Sequence, residues 1–201
     1  MESSRKEANE MPLDSVFPSM KALFLSFVIP FASVSLLAAD TCREVVRDAS
    51  GRIVQTIERQ KSADGIVHAI TRDASGLIIG TANTRTNASG TAQSTYRDSS
   101  GRITGTAATQ PSTGTSSRTT FRDASGRLNG SAETRVGDGS GSNTQYRDAS
   151  GRLTGSSATS GSASGSFTGT QRDASGSLIG SSSGTGKCQR GAIVPAATPT
   201  K

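Results

Sequence analysis

The sequence predicts an all-β fold: an antiparallel meander of about twelve short strands built from six 25-residue hairpin repeats, with closure into a barrel-like sheet as the favoured outcome. Three observations lead there. Arg-Asp-(Ala/Ser)-Ser-Gly begins at Arg47, Arg72, Arg97, Arg122, Arg147 and Arg172, and the 25-residue interval never slips. A second series of turn sequences falls between these at the same spacing. The segments between turns are rich in Thr and carry one or a few Ile, Leu, Val, Tyr or Phe each, residues that suit a pleated, half-buried surface.

The first series is a turn for a mechanical reason. A type I turn favours Asp at its first position and Gly at its fourth, and the left-handed Gly that closes it makes a G1 bulge. Asp48 and Gly51 fill these places, as do Asp73 and Gly76, Asp98 and Gly101, Asp123 and Gly126, Asp148 and Gly151, and Asp173 and Gly176. With that geometry Asp98 faces Arg102, Arg97 faces Ile103 and Tyr96 faces Thr104. Such cross-strand pairs contribute a few tenths to about 1 kcal/mol each.

The second series comprises Ser62-Ala63-Asp64-Gly65, Asn87-Ala88-Ser89-Gly90 and Ser162-Ala163-Ser164-Gly165, with Pro111 to Gly114 and Gly137 to Gly141 filling the remaining places less regularly. Two turns per period mean two strands per period. The consequence is an up-and-down meander with one turn series along each edge.

In chain order, residues 1–39 read as an N-terminal extension and signal peptide. Lys21 supplies the positive start, Ala22 to Leu37 the apolar stretch, and Ala38 and Ala39 the small residues, so cleavage is expected near Ala39. An uncleaved anchor is the alternative, disfavoured by Pro30, Ser26, Ser33 and Ser35 and by the shortness of the run. Met20, directly before Lys21, is a more conventional start than Met1. Residues 40–194 form the repeat domain, opening with a strand from Thr41 to Arg47. The hairpin from Arg52 to Arg72 is the most apolar, with Ile53, Val54, Ile57, Ile66, Val67 and Ile70, and looks like the anchoring end of the array.

From Tyr96 onward the units are leaner. Ile103, Leu128, Leu153 and Leu178 share one position; Tyr96, Phe121 and Tyr146 share another, which becomes Gln171. Strand alternation puts Ile103, Gly105 and Ala107 on one face and Thr104 and Thr106 on the other. The glycines at Gly80, Gly105, Gly130, Gly155 and Gly180 are expected to let a neighbouring backbone or ring come close. Phe167 adds an apolar anchor. A last strand is expected around Cys188 to Val194, and Pro195 and Pro199 leave residues 195–201 as a disordered tail.

Composition bounds what such a sheet can bury. The chain has no Trp and 4% aromatic residues, so a thick core is excluded; composition alone permits disorder, but a solvated linker has no reason to space its turns so strictly. From Asp40 onward, 19 Lys and Arg against 12 Asp and Glu leave a net charge of +7. Repeat arginines sit beside repeat aspartates, so a self-neutralising ladder is favoured over a polyanion-binding stripe formed by Arg47, Arg72, Arg97, Arg122, Arg147 and Arg172.

Cys42 and Cys188 bracket the array, and an even count in an oxidising compartment points to one bridge. The ends of a flat twelve-strand sheet lie on the order of 50 Å apart at the usual strand spacing, while bridged cysteines need Cα atoms within about 7 Å. Either the sheet curls until its first and last strands meet, or the cysteines do not pair within one chain. Closure is favoured because it removes two exposed edges.

At Tyr146-Arg147-Asp148-Ala149-Ser150-Gly151-Arg152-Leu153-Thr154 the repeat resembles the YD repeats of bacterial Rhs and insecticidal-toxin shell proteins, whose motif runs Tyr-Asp, two residues, then Gly-Arg-Leu. Here one residue separates Tyr from Asp, the period is longer, and the cargo and self-cleaving regions of those shells have no counterpart. The resemblance implies a secreted bacterial β-hairpin array and does not extend to an enclosing or toxin-delivery role.

No catalytic constellation, metal-ligand spacing or cofactor motif emerges. The sole histidine, His68, reads as a strand residue, and Asp-Ala-Ser-Gly lacks the alternating acidic oxygens of a calcium loop. A membrane-spanning barrel needs an apolar outer band that one Leu or Ile per hairpin does not supply. Aromatics are too sparse for single-stranded nucleic acid. The expectation is an exported, non-enzymatic repeat protein, secreted or periplasmic, with a structural, adhesive or surface-binding role and no cofactor, nucleic-acid partner or integral membrane segment. Two alternatives remain: recognition of a glycan or envelope polyanion by the arginine rows, and ice or crystal-surface binding by a Thr-rich face.

Overall fold

The structure, a computed structural model, describes residues 41–137, 141–162 and 164–186. Twelve antiparallel strands follow one another in a meander: β1 (Thr41–Asp48), β2 (Ile53–Lys61), β3 (Val67–Asp73), β4 (Ile78–Thr86), β5 (Ala92–Asp98), β6 (Ile103–Pro111), β7 (Ser116–Asp123), β8 (Leu128–Val136), β9 (Ser142–Asp148), β10 (Leu153–Gly161), β11 (Phe167–Asp173) and β12 (Leu178–Gly186). Each pairs with its neighbours in sequence, and β12 pairs with β1, so the sheet closes into a barrel. The expected last strand at Cys188 to Val194 and the tail at 195–201 lie outside the described residues, as do the leader and Cys188.

The Asp turns form as their residues dictate. Gly51 N–H donates to the Asp48 carbonyl at 3.0 Å, Asp48 N–H donates to the Arg52 carbonyl at 2.9 Å, and Gly51 takes a φ of 83°. The aspartate does more than favour the turn. Asp48 Oδ1 accepts from Ser50 N–H, Ser50 Oγ–H and Arg52 N–H at 2.7–2.9 Å, clamping the reversal from its side. Asp73, Asp98, Asp123, Asp148 and Asp173 repeat this arrangement. At the opposite rim Asn87 plays the same part, accepting from Ser89 and Thr91 N–H.

A second bulge, one residue past each Asp turn, corrects the expected register. Arg97 does face Ile103, but Tyr96 faces Gly105 instead of Thr104, because Thr104 is the extra residue of the bulge. A one-residue slip exchanges the faces of a strand. Ile103 therefore shares the outer face with Arg97, while Gly105 and Ala107 point inward; the three do not share a face. The same shift occurs at Ile53, Ile78, Leu128, Leu153 and Leu178. All six aliphatics are left 41–47% exposed.

The interior is thin, as the composition requires. Buried residues include Cys42, Val46, Ile57, Ala107 and Ala132, but also Glu44, Gln55, Thr144, Ser157 and Ser182. The inner wall is thus a mixture of small, hydroxyl and aromatic residues, and the expected split into one apolar and one hydroxyl-rich face does not hold. Tyr96, Phe121 and Tyr146 line this wall, each opposite a glycine of the following strand: Gly105, Gly130 and Gly155. On its other side that glycine meets the next repeat. A Cβ on Gly105 would sit 2.5 Å from the Arg122 carbonyl oxygen, and one on Gly180 would sit 2.6 Å from that of Arg47. The glycines have the close-approach role expected of them, and the contact at the closing seam matches the internal ones.

Within the wall, Arg59 donates to Glu44 at 2.8 Å, both side chains being nearly covered. No buried side-chain nitrogen or oxygen among the described residues lacks a hydrogen-bond partner. The polar core is therefore satisfied, which is the condition under which it can be kept.

Candidate functional site: the arginine ring at the Asp-turn rim

Each repeat arginine is the residue before a turn aspartate, so strand alternation sends its side chain outward and closure sets all six around one rim. The placement is uniform. Arg47 donates from Nη1 to the Gly51 carbonyl at 2.9 Å, and Arg72, Arg97, Arg122, Arg147 and Arg172 do the same to Gly76, Gly101, Gly126, Gly151 and Gly176 at 2.8–3.1 Å. One Nη1–H of each guanidinium is held by its own turn, leaving the other donors to solvent or a ligand. Arg97, Arg122, Arg147 and Arg172 are exposed; Arg47 and Arg72 are half-buried.

The aspartates between them do not form ion pairs with them. Among the described residues the ion pairs are Arg59–Glu44 and Arg135–Glu133, neither at this rim. Instead the carboxylates are absorbed by their own turns: the Ser50 hydroxyl first, then the Arg52 N–H, hold the Asp48 carboxyl below the ordinary aspartate range. The serine hydroxyl has the same leading effect at Asp73, Asp98, Asp123, Asp148 and Asp173. Arg52, Arg102, Arg127 and Arg152 add a second tier at the turn ends, so ten arginines stand against six aspartates.

Sequence reasoning located the six arginines but missed what surrounds them. The ring of Ile53, Ile78, Ile103, Leu128, Leu153 and Leu178 lies on the same outer face, each aliphatic directly across the ladder from an arginine. The bulge that puts them there has no residue signature in the motif. Further along the outer wall, Glu133, Arg135, Asn143, Gln145, Ser156 and Arg172 line a polar groove of about 540 Å³. His68 is exposed in β3, its Nδ1 2.8 Å from Asn83 Oδ1, as suits a strand residue.

Of the expected bridge, Cys42 lies on the inner wall, 4% exposed, opposite Gly186 of β12. Cys188 follows two residues later in the chain, outside the described residues. Tyr96 and Tyr146 line the barrel, Tyr96 within reach of the Arg59 charge and Tyr146 within reach of the Glu44 charge. Burial raises both phenols; Ser94 and then Arg59 pull Tyr96 back, whereas at Tyr146 the Ser157 hydrogen bond lowers and the Glu44 charge raises. Comparison with known proteins returned no matching family, no matching curated protein and no matching solved structure.

Proposed function

We propose that the chain is an exported, non-enzymatic repeat protein that serves as an adhesive surface, engaging polyanionic polymer through the arginine ring. The observation behind this reading is the uniform presentation of Arg47, Arg72, Arg97, Arg122, Arg147 and Arg172 on one rim, each tethered to a glycine carbonyl and none paired with a carboxylate. A guanidinium fork suits sulfate, phosphate and carboxylate groups. Six copies at a regular interval suit a polymer whose charges also repeat, because linked contacts reinforce one another.

Other features agree. The leader around Lys21 to Ala39 supports export, and the likeness to YD repeats supports a bacterial envelope or extracellular setting. We infer that Cys42 and Cys188 bridge there, stapling β1 to the chain just past β12. Single-stranded nucleic acid is disfavoured as the polyanion, since Tyr96, Phe121 and Tyr146 face the barrel interior, away from any strand of bases. No helix among the described residues is long and apolar enough to cross a membrane. The outer wall bears Arg118, Thr120, Glu133, Arg135, Asn143 and Gln145, which is not the apolar band a spanning barrel needs.

The lattice-binding reading has less support. The outer hydroxyls Thr56, Thr81, Thr106, Ser131, Ser156 and Ser181 run around a closed wall instead of lying on a flat one. Retention on immobilised heparin and on anionic envelope polymers tests the proposal. Binding should weaken steeply with salt and fall when Arg97, Arg122 and Arg147 are replaced by Gln. Absence of binding, or binding indifferent to salt, would overturn it.

A further inference from the structure

Closure has a consequence for the outer surface at the Asp-turn rim. It sets the last hairpin, β11–β12, directly beside the first, β1–β2, which in turn adjoins β3–β4. These three hairpins hold Leu178 and Ile179, then Ile53 and Val54, then Leu77, Ile78 and Ile79, all 41–68% exposed. The other three hairpins expose one aliphatic each at this rim: Ile103, Leu128 and Leu153.

One aliphatic per hairpin is explained by the repeat, since every unit carries one at the same position, directly across the ladder from its arginine. The additional four are not. Val54, Ile79 and Ile179 occupy the bulge position that is Thr104, Asn129 or Thr154 elsewhere, and Leu77 occupies the place of Arg52, Arg102, Arg127 and Arg152. The repeats themselves show that polar residues serve the barrel at these positions. The rim thus has two sectors: an apolar one over three adjacent hairpins, flanked by Arg47, Arg52, Arg72 and Arg172, and a basic one carrying Arg97, Arg102, Arg122, Arg127, Arg147 and Arg152.

We propose that this rim docks on an anionic lipid surface, the apolar sector entering the headgroup boundary while the arginines meet phosphate groups. The inference rests on the polyanion reading above and names one surface for it. Charge complementarity decides among occupants. A second copy placed rim to rim would oppose like charge, ten arginines against ten, and a soluble polymer gives the four extra aliphatics nothing to bury against. A lipid surface satisfies both, the combination by which basic, apolar surfaces bind membranes peripherally.

Co-sedimentation of the processed chain, residues 40–201, with vesicles of phosphatidylcholine alone and of phosphatidylcholine with phosphatidylglycerol tests this. The expected result is binding to the anionic vesicles only, reduced by salt. The variant V54T/L77R/I79T/I179T, built from residues the other repeats already use, should lose roughly tenfold or more of that binding while its retention on heparin holds or rises; the single Leu77→Arg change provides a milder version should the fourfold variant not fold. Retention on heparin without vesicle binding would overturn the lipid inference and leave the polyanion reading intact. Loss of both in the parent chain would overturn both, and vesicle binding unchanged in a folded variant would remove the apolar sector from the account.

Discussion

Gly180 stands opposite Asp48 across the seam between the last strand and the first, in the register that Gly105 shares with Asp123 and Gly155 with Asp173. The joint that closes the barrel is therefore built like the joints within it. At five of the six joints between repeats, the closing one included, an inward glycine lies against the carbonyl of a repeat arginine and leaves no room for a Cβ.

A methyl group tests that joint. Gly105→Ala and Gly180→Ala should each lower stability by about 1–3 kcal/mol in denaturant unfolding, as overpacking does. Gly101→Asn, in open space at a φ of 83°, should be tolerated far better. A cost at Gly105 with none at Gly180 would show that the chain does not close in solution. Gln55, which replaces the glycine in the first unit, identifies the β2–β3 joint as the one that admits a side chain.

How much of this could be read beforehand follows from the range of each interaction. The Asp turns, the two-turn period and the strand count are local, since Asp98, Ser100, Gly101 and Arg102 make their bonds within four residues. Thr104 was misread because its bulge depends on how β5 and β6 pair, and that moved Ile103 to the outside. Glu44 and Arg59 were overlooked because charges fifteen residues apart announce nothing until β1 and β2 lie side by side. The arginine ring was legible as a period, whereas the widening of its apolar sector needs the last repeat beside the first.

The buried ion pair should be costly to break and cheap to replace. Glu44→Ala leaves Arg59 covered and unpaired, an expected loss of about 3–5 kcal/mol, while replacing both with apolar residues of similar volume should be close to neutral. Thermal unfolding of the two single variants and the double variant checks this. Equal losses in all three would mean that the pair is not desolvated.

Non-reducing peptide mapping of the processed chain should find Cys42 joined to Cys188 within one chain. Closing so long a loop constrains the unfolded ensemble, so reduction should lower stability by on the order of 4–5 kcal/mol. An intermolecular bridge, or two free thiols in oxidised material, would contradict the staple.

The six turn carboxylates make stability depend on acid. Because hydrogen bonds hold them below the ordinary aspartate value of about 3.9, the unfolded chain takes up protons first as pH falls. Their contribution is complete above that value and disappears as pH drops through the lower folded values. At the alkaline end the sign is opposite: Tyr96 and Tyr146 ionise less readily when folded, so stability declines above about pH 10. Unfolding midpoints across pH should trace this plateau, and Asp98→Asn should flatten part of its acid limb. A midpoint constant from neutrality to strong acid would show that the turns are not clamped by their aspartates.

The sameness of the closing joint means that the ring has no privileged beginning. A chain cut at any of the turns and rejoined through its ends would meet the same neighbours in the same order, and adding or removing a whole unit would change the circumference without asking for a new kind of contact. Duplication of a short stretch of coding sequence is then enough to alter how many arginines such a protein displays.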